Sequence, residues 1–165
     1  LARMVEGGED PKFIARRMLI LAAEDIGMAN PNALLLAQTC FEAVNVIGWP
    51  ESRIILSETA VYLATSPKSN ASYMAIENAQ AIVREKGDLS VPLHIRNAPT
   101  RLMKDLGYHK GYKYAHDFEG NFIQDNFLPE EIKGTKFYEP GLNPKEEEIR
   151  KRLKGLWKDI YDYDK

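Results

Sequence analysis

Any chemistry in this chain has to be sought where titratable and polar side chains crowd together. That place is residues 92–117, PLHIRNAPTRLMKDLGYHKGYKYAHD. The stretch holds all three histidines, His94, His109 and His116. It carries five Lys or Arg residues (Arg96, Arg101, Lys104, Lys110 and Lys113) against two acids, Asp105 and Asp117. Tyr108, Tyr112 and Tyr114 are interleaved with the basic residues. Imidazoles can ligate metal or move protons. Ammonium and guanidinium groups beside aromatic rings suit phosphates and stacked bases.

Most catalytic chemistry is excluded by what surrounds these residues. The histidine spacing matches no common zinc pattern, and the single cysteine, Cys40, offers no second thiolate. Cys40 lies in the most apolar run of the chain, where a small core residue is expected and a nucleophile is not. There is no G-x-x-x-x-G-K-[ST], G-x-G-x-x-G, H-E-x-x-H or G-x-S-x-G motif. Gly7 and Gly8 alone make a flexible joint. No catalytic, cofactor or metal residue is therefore expected in these residues.

The composition agrees. At 165 residues the chain can bury a sizeable core as one domain, or as one domain and a small annex. With 44% hydrophobic and 28% charged residues it is ordinary globular material. A formal net charge of −2 means that any surface for a polyanion must be local. No apolar run reaches the roughly 18 residues that a membrane span requires. A lone cysteine precludes an internal disulfide and suits a cytosolic protein. The opening LARMVEGGED reads as mid-protein sequence, so a fragment of something larger is expected.

The elements that must position the basic stretch are helical. Residues 1–87 read as a four-helix bundle punctuated by proline. Pro11, Pro31 and Pro50 each stand at an expected first helical position, the first two behind Asp10 and Asn30 as caps. Helices are expected over residues 11–26, 31–47, 50–65 and 70–86, with Gly27, Gly48 and Gly87 as stops. The second is so apolar that it reads as the buried centre of the bundle. Glu24 and Asp25 sit in the last turn of the first helix, either solvated or paired with a base such as Arg96. Residues 88–142 read as an annex. It comprises an extended run, a short helix at 98–106 capped by Asn97 and docked through Leu102, Met103 and Leu106, and an irregular tail. Tyr112, Tyr114, Phe118 and Phe122 around Glu119 and Gly120 are compatible with a small β-hairpin. Residues 143–165 read as a C-terminal helix and polar tail. Asn143 is its cap, Glu146 holds the capping-box position, and Glu146, Glu147 and Glu148 each have a basic residue four positions on. The fold class expected is mainly α.

The same blocks carry a resemblance. GGEDPKFIARRM (7–18), AAEDIGMANPNAL (22–34), YLATSPKSNASY (62–73), the 92–117 stretch, FLPEEIKGTKFYEP (127–140) and EEIRKRLKGLW (147–157) resemble the C-terminal region of the RarA/MgsA family. These are replication-associated recombination ATPases of the AAA+ class, akin to the eukaryotic Werner-helicase-interacting protein. The resemblance implies a helical region similar to the oligomerising collar of clamp-loader subunits, assembling as a homotetramer. It implies a cytoplasmic, nucleoid-associated parent, a DNA-dependent ATPase acting at stalled forks and on gapped or single-stranded DNA with single-strand-binding protein. ATP and Mg would be held by an N-terminal module whose Walker motifs are not in these residues. The rival from another class is a stand-alone helical adaptor that binds a protein or DNA.

Three roles for residues 92–117 stay open at this point. The tyrosines and charges can pack the annex internally. They can form a subunit interface, since Tyr and Arg favour interfaces. Or Arg96, Arg101, Lys104, Lys110 and Lys113 can meet DNA phosphates while one of the tyrosines stacks on a base, with Tyr108 and Tyr112 among the candidate contacts. Lys68, in the turn before the fourth helix, can join either functional surface.

Overall fold

The computed structural model describes residues 1–158 and 160–164. Among these it has seven α-helices and no strand, so the chain is mainly α. The helices are α1 (Ala2–Glu6), α2 (Pro11–Leu21), α3 (Asn32–Ile47), α4 (Ser52–Thr65), α5 (Ala71–Lys86), α6 (Arg101–Asp105) and α7 (Pro144–Trp157). The chain divides into two units. One is Leu1–Glu77 with Tyr138–Ile149, the other Asn78–Phe137 with Arg150–Lys165. Among the described residues no helix is long and apolar enough to cross a membrane.

The first unit is built around α2, α3 and α4. Asp10 caps α2 as expected, its carboxylate accepting from the Lys12 N–H at 3.0 Å. Two buried clusters follow the helical period. Ile14, Ala15, Cys40, Val44 and Leu56 form one; Ala22, Ile26, Ala33, Ala37 and Leu63 form the other. The buried residues of α3 are Ala33, Ala37, Cys40 and Val44, spaced four, three and four apart along one stripe. Its small residues thus face the core, Phe41 packs partly against it, and other large residues do not. Leu35 is 67% exposed and Val46 is 86% exposed. The expectation of a wholly buried central helix is corrected accordingly: α3 is apolar on an outward face as well. Burial pushes the Cys40 thiol pKa up, only partly offset by its hydrogen bond with Thr59, so it stays an inert core group.

Helix α2 does not run as a regular α-helix to Ile26. Its last turn widens to a π-turn over Ala22–Ile26 and then tightens to a 3-10 turn over Gly27–Ala29. The reason lies in the turn between α4 and α5. The Ser69 N–H donates to the Asp25 carbonyl at 2.9 Å. Gly27 has φ +49°, and a Cβ there would stand 2.8 Å from the Ser69 carbonyl oxygen. Only glycine tolerates both the backbone conformation and that approach. Asn30 does not cap α3. Its amide donates instead to the Tyr62 hydroxyl (3.0 Å) and to Ser66 Oγ (3.1 Å), bracing the start of α3 against the end of α4.

The α4–α5 turn is also pinned by Glu146, which is 0% exposed. Its carboxylate accepts from the Tyr138 hydroxyl at 2.8 Å and from Asn143 Nδ2 at 2.5 Å. Ser69 and the Gly141 N–H also hydrogen-bond to it. Burial opposes the charge, but these donors outweigh it and hold the carboxyl pKa below the ordinary value of 4.5. Asn143 caps α7 as expected, its Oδ1 accepting from the Glu146 N–H at 3.0 Å. The charge pattern of the last helix suggests a solvated Glu146; folded, it is the buried hub of a polar network. On the outer face of α7, Glu148 pairs with Lys145 at 3.1 Å rather than with a residue four positions on.

The second unit is held differently. Helix α5, which the division crosses after Glu77, buries none of its residues: Ala75, Ala79 and Ile82 are half-buried, and Ile76 and Val83 are exposed. Thr100, not Asn97, caps the short α6, its hydroxyl accepting from the Met103 N–H at 3.3 Å. Of the residues expected to dock that helix only Met103 is half-buried, while Leu102 is 67% and Leu106 59% exposed. The expected β-hairpin does not form. Ala115–Asp117 and Glu119–Asn121 are 3-10 turns instead. Asp117 donates its N–H to the Tyr114 carbonyl, and Asn121 to that of Phe118, both at 3.0 Å. These local bonds use the N–H groups that a ladder would need. Phe122 meets Trp157 edge-on at 5.0 Å, and Gln124 Nε2 donates to the Trp157 carbonyl at 2.8 Å.

Candidate functional site

The 92–117 stretch lies wholly in the second unit, and the structure sorts its cations into two groups. Arg96 and Lys113 are engaged. The Arg96 Nε donates to the Val91 carbonyl at 2.6 Å, and its Nη1 to the Tyr108 hydroxyl at 3.1 Å. The same guanidinium lies 5.1 Å from the Tyr108 ring centroid, a cation–π contact. Glu24 and Asp25 belong to the first unit and are exposed. Lys113 Nζ donates to Asp125 Oδ2 at 3.0 Å, and this bond holds the Asp125 carboxyl below its ordinary pKa. Arg101, Lys104 and Lys110 are exposed and make no ion pair among the described residues.

The loop that carries Tyr108 and Lys110 has an unusual backbone. Gly107, His109 and Gly111 all have positive φ (+83°, +66° and +80°), with His109 the side-chain-bearing member. Alternating left-handed residues can turn successive N–H groups toward an anion. Here most of those groups are already used. The N–H groups of Gly107, Tyr108 and His109 donate to the carbonyls of Lys104, Met103 and Leu93 at 2.9–3.0 Å. An anion at this loop is therefore met mainly by side chains. The His109 ring stacks on Tyr112 at 4.4 Å and 20°, and Tyr114 tilts against His116 at 5.0 Å. Both tyrosines are exposed.

Between α6 and this loop lies an open cleft of about 640 Å³, lined by Asn97, Ala98, Pro99, Lys104, Tyr108, His109 and Lys110. Its floor is apolar and aromatic, and two of the unpaired cations belong to its wall. Arg101 stands three positions before Lys104 and so shares its helical face. Leu102 and Leu106, four apart, share a face of their own.

The histidines do not form a metal site: among the described residues no three His, Cys, Asp or Glu side chains are placed to hold an ion. His94 packs against Phe127 at 6.5 Å, and its Nε2 is buried without a hydrogen-bond partner among the described residues. Lys68, the remaining candidate, belongs to the first unit. It lines a groove of about 440 Å³ there with Arg17, Glu24, Asp25 and apolar residues that include Met4, Met18 and Leu63. The other seven candidates, Arg96, Arg101, Lys104, Tyr108, Lys110, Tyr112 and Lys113, lie together in the second unit.

Residues 1–157 match the family described as "MgsA AAA+ ATPase C terminal", and the chain belongs to it. It is 44% identical over 154 residues to the replication-associated recombination protein A of Coxiella burnetii, covering 93% of this chain and 35% of that protein. The Escherichia coli K12 protein of the same name is 40% identical over 156 residues, covering 94% and 35%. ATPase WRNIP1 of Dictyostelium discoideum is 41% identical over 138 residues, covering 83% and 16%. The chain thus spans about a third or less of the length of these relatives.

Proposed function

We propose that this region is the oligomerisation domain of a AAA+ ATPase that acts in DNA replication, recombination and repair. It assembles as a homotetramer in the manner of a clamp-loader collar. The observation that carries this reading is the outward apolar face of the first unit. Leu35, Val46 and Ile47 on α3 and Ile54 and Val61 on α4 are all exposed large apolar side chains. A monomer gains nothing from displaying them, and covering each completely is worth about 1.5–3 kcal/mol. The region itself does not catalyse. ATP and Mg would be bound by a module outside these residues, and the parent would work on single-stranded or forked DNA with single-strand-binding protein, in the cytoplasm.

Light scattering on the 165-residue chain tests the assembly. A tetramer at micromolar concentration is expected, and Leu35→Lys with Val46→Lys should reduce it to smaller species without loss of helicity. A monomeric wild-type chain at that concentration rejects the collar reading and leaves the helical adaptor as its successor.

A further inference from the structure

The second unit carries a feature separate from the apolar face on which the assembly reading rests. Residues 92–117 are locally basic in a chain of net charge −2, yet their cations are not equivalent. Arg96 is held by Val91 and Tyr108, and Lys113 by Asp125. Among the described residues Arg101, Lys104 and Lys110 are left without a countercharge, and the latter two line one cleft. We infer that this cleft seats the backbone of single-stranded nucleic acid. Lys104 and Lys110 meet phosphates, Arg101 extends the track along α6, and the exposed ring of Tyr112, backed by His109, receives a base.

The chemistry favours a nucleic acid over an acidic polypeptide on two points. Two of the unpaired cations, Lys104 and Lys110, line a shared concavity whose lining holds no acidic residue, which suits a polyanion with regularly repeated charge. The aromatic face beside them is open and already rigid. Tyr112 is stacked on His109 at 4.4 Å, so little side-chain freedom remains to be lost when a base stacks on it. Most backbone N–H groups of the loop are taken by carbonyls, so affinity rests mainly on lysine side chains acting as point charges. Such interactions carry no sequence preference. The exposed Leu102 and Leu106 lie on a different face of α6 from Arg101 and Lys104, and are not part of the seat.

The inference rests on the reading of this family as acting on DNA, and its test is separate from the assembly measurement. The 165-residue chain is titrated against a fluorescein-labelled oligothymidine of about 16 nucleotides at several salt concentrations. Binding that weakens as salt rises is expected. Lys104→Ala with Lys110→Ala should lower affinity about tenfold and make the log–log salt slope about 1.4 less steep, near 0.7 for each phosphate no longer neutralised. Lys104→Arg with Lys110→Arg should restore both. Tyr112→Ala should lower affinity about fivefold and leave the slope unchanged. Lys151→Ala with Arg152→Ala on α7 removes the same charge and should leave the slope as it was. Absence of binding at low salt, or an equal loss from the α7 pair, overturns the inference. So does poly-L-glutamate binding as tightly as the oligonucleotide with no effect of Tyr112→Ala; that result assigns the cleft to an acidic polypeptide. A tetramer that ignores the oligonucleotide overturns the cleft alone, and a monomer that binds it overturns the collar alone.

Discussion

The two units of this chain hold themselves together by different physics. In the first, helices close on small buried residues such as Ala15, Ala33 and Ala37, and the turns are fixed by long-range polar contacts to Ser69, Asn30 and Glu146. In the second, short 3-10 turns satisfy their backbone locally, and its described buried apolar residues include only Ile123 and Tyr163. A dense core makes the first unit sensitive to volume and to unsatisfied polar atoms. The second unit has little core to disturb, so its surface residues are available for recognition at small cost to stability.

That contrast can be broken by four substitutions, each measured by urea unfolding. Leu56→Ala, at a position 0% exposed in the first cluster, should cost about 2–5 kcal/mol. A loss under about 1 kcal/mol would mean that the core is looser than the structure shows.

Glu146→Gln keeps the volume but removes the charge that Tyr138, Asn143, Ser69 and Gly141 stabilise. A loss of about 2 kcal/mol at pH 7 is expected. The folded carboxyl pKa is depressed, so its stabilisation is present above the ordinary value of 4.5 and fades as pH falls through the folded pKa. The difference between wild type and variant should therefore shrink as pH falls below the ordinary value of 4.5. A difference independent of pH would assign the loss to packing instead.

Gly27→Ala places a Cβ against the Ser69 carbonyl at φ +49° and should cost about 1–2 kcal/mol. A neutral result would show that the α4–α5 turn can move away. Leu102→Ala, on a residue 67% exposed, should change stability by less than about 0.5 kcal/mol. A loss comparable to that of Leu56→Ala would contradict the division between a packed unit and an open one.

Much of the architecture was legible because its signals are local. Asp10 before Pro11 and Asn143 before Pro144 announced helix starts that the structure has, since a cap and its N–H lie within one turn. The apolar stripe of the last helix was readable too: Ile149, Leu153, Leu156 and Trp157 are each half-buried. The candidate site was legible as a composition and not as a geometry. Five cations look equivalent in a string of letters. Which of them is neutralised depends on Asp125, on the Val91 carbonyl and on the Tyr108 ring, and only folding brings those to Arg96 and Lys113. The hairpin misled because alternating aromatics specify a strand only when a partner strand exists, and here the N–H groups found carbonyls three residues back.

By itself the sequence determined the main helices of the first unit, the absence of nucleotide-binding motifs, the location of the basic annex and the family resemblance, all properties of local pattern. The tertiary structure alone decided that α3 turns its alanines inward and Leu35 and Val46 outward. It also decided that Glu146 is a buried hub and that Lys104 and Lys110 line one cleft without a countercharge among the described residues. The physical reason is common to all three. Burial, charge pairing and concavity are relations between residues far apart in the chain, and no window of neighbouring letters contains them.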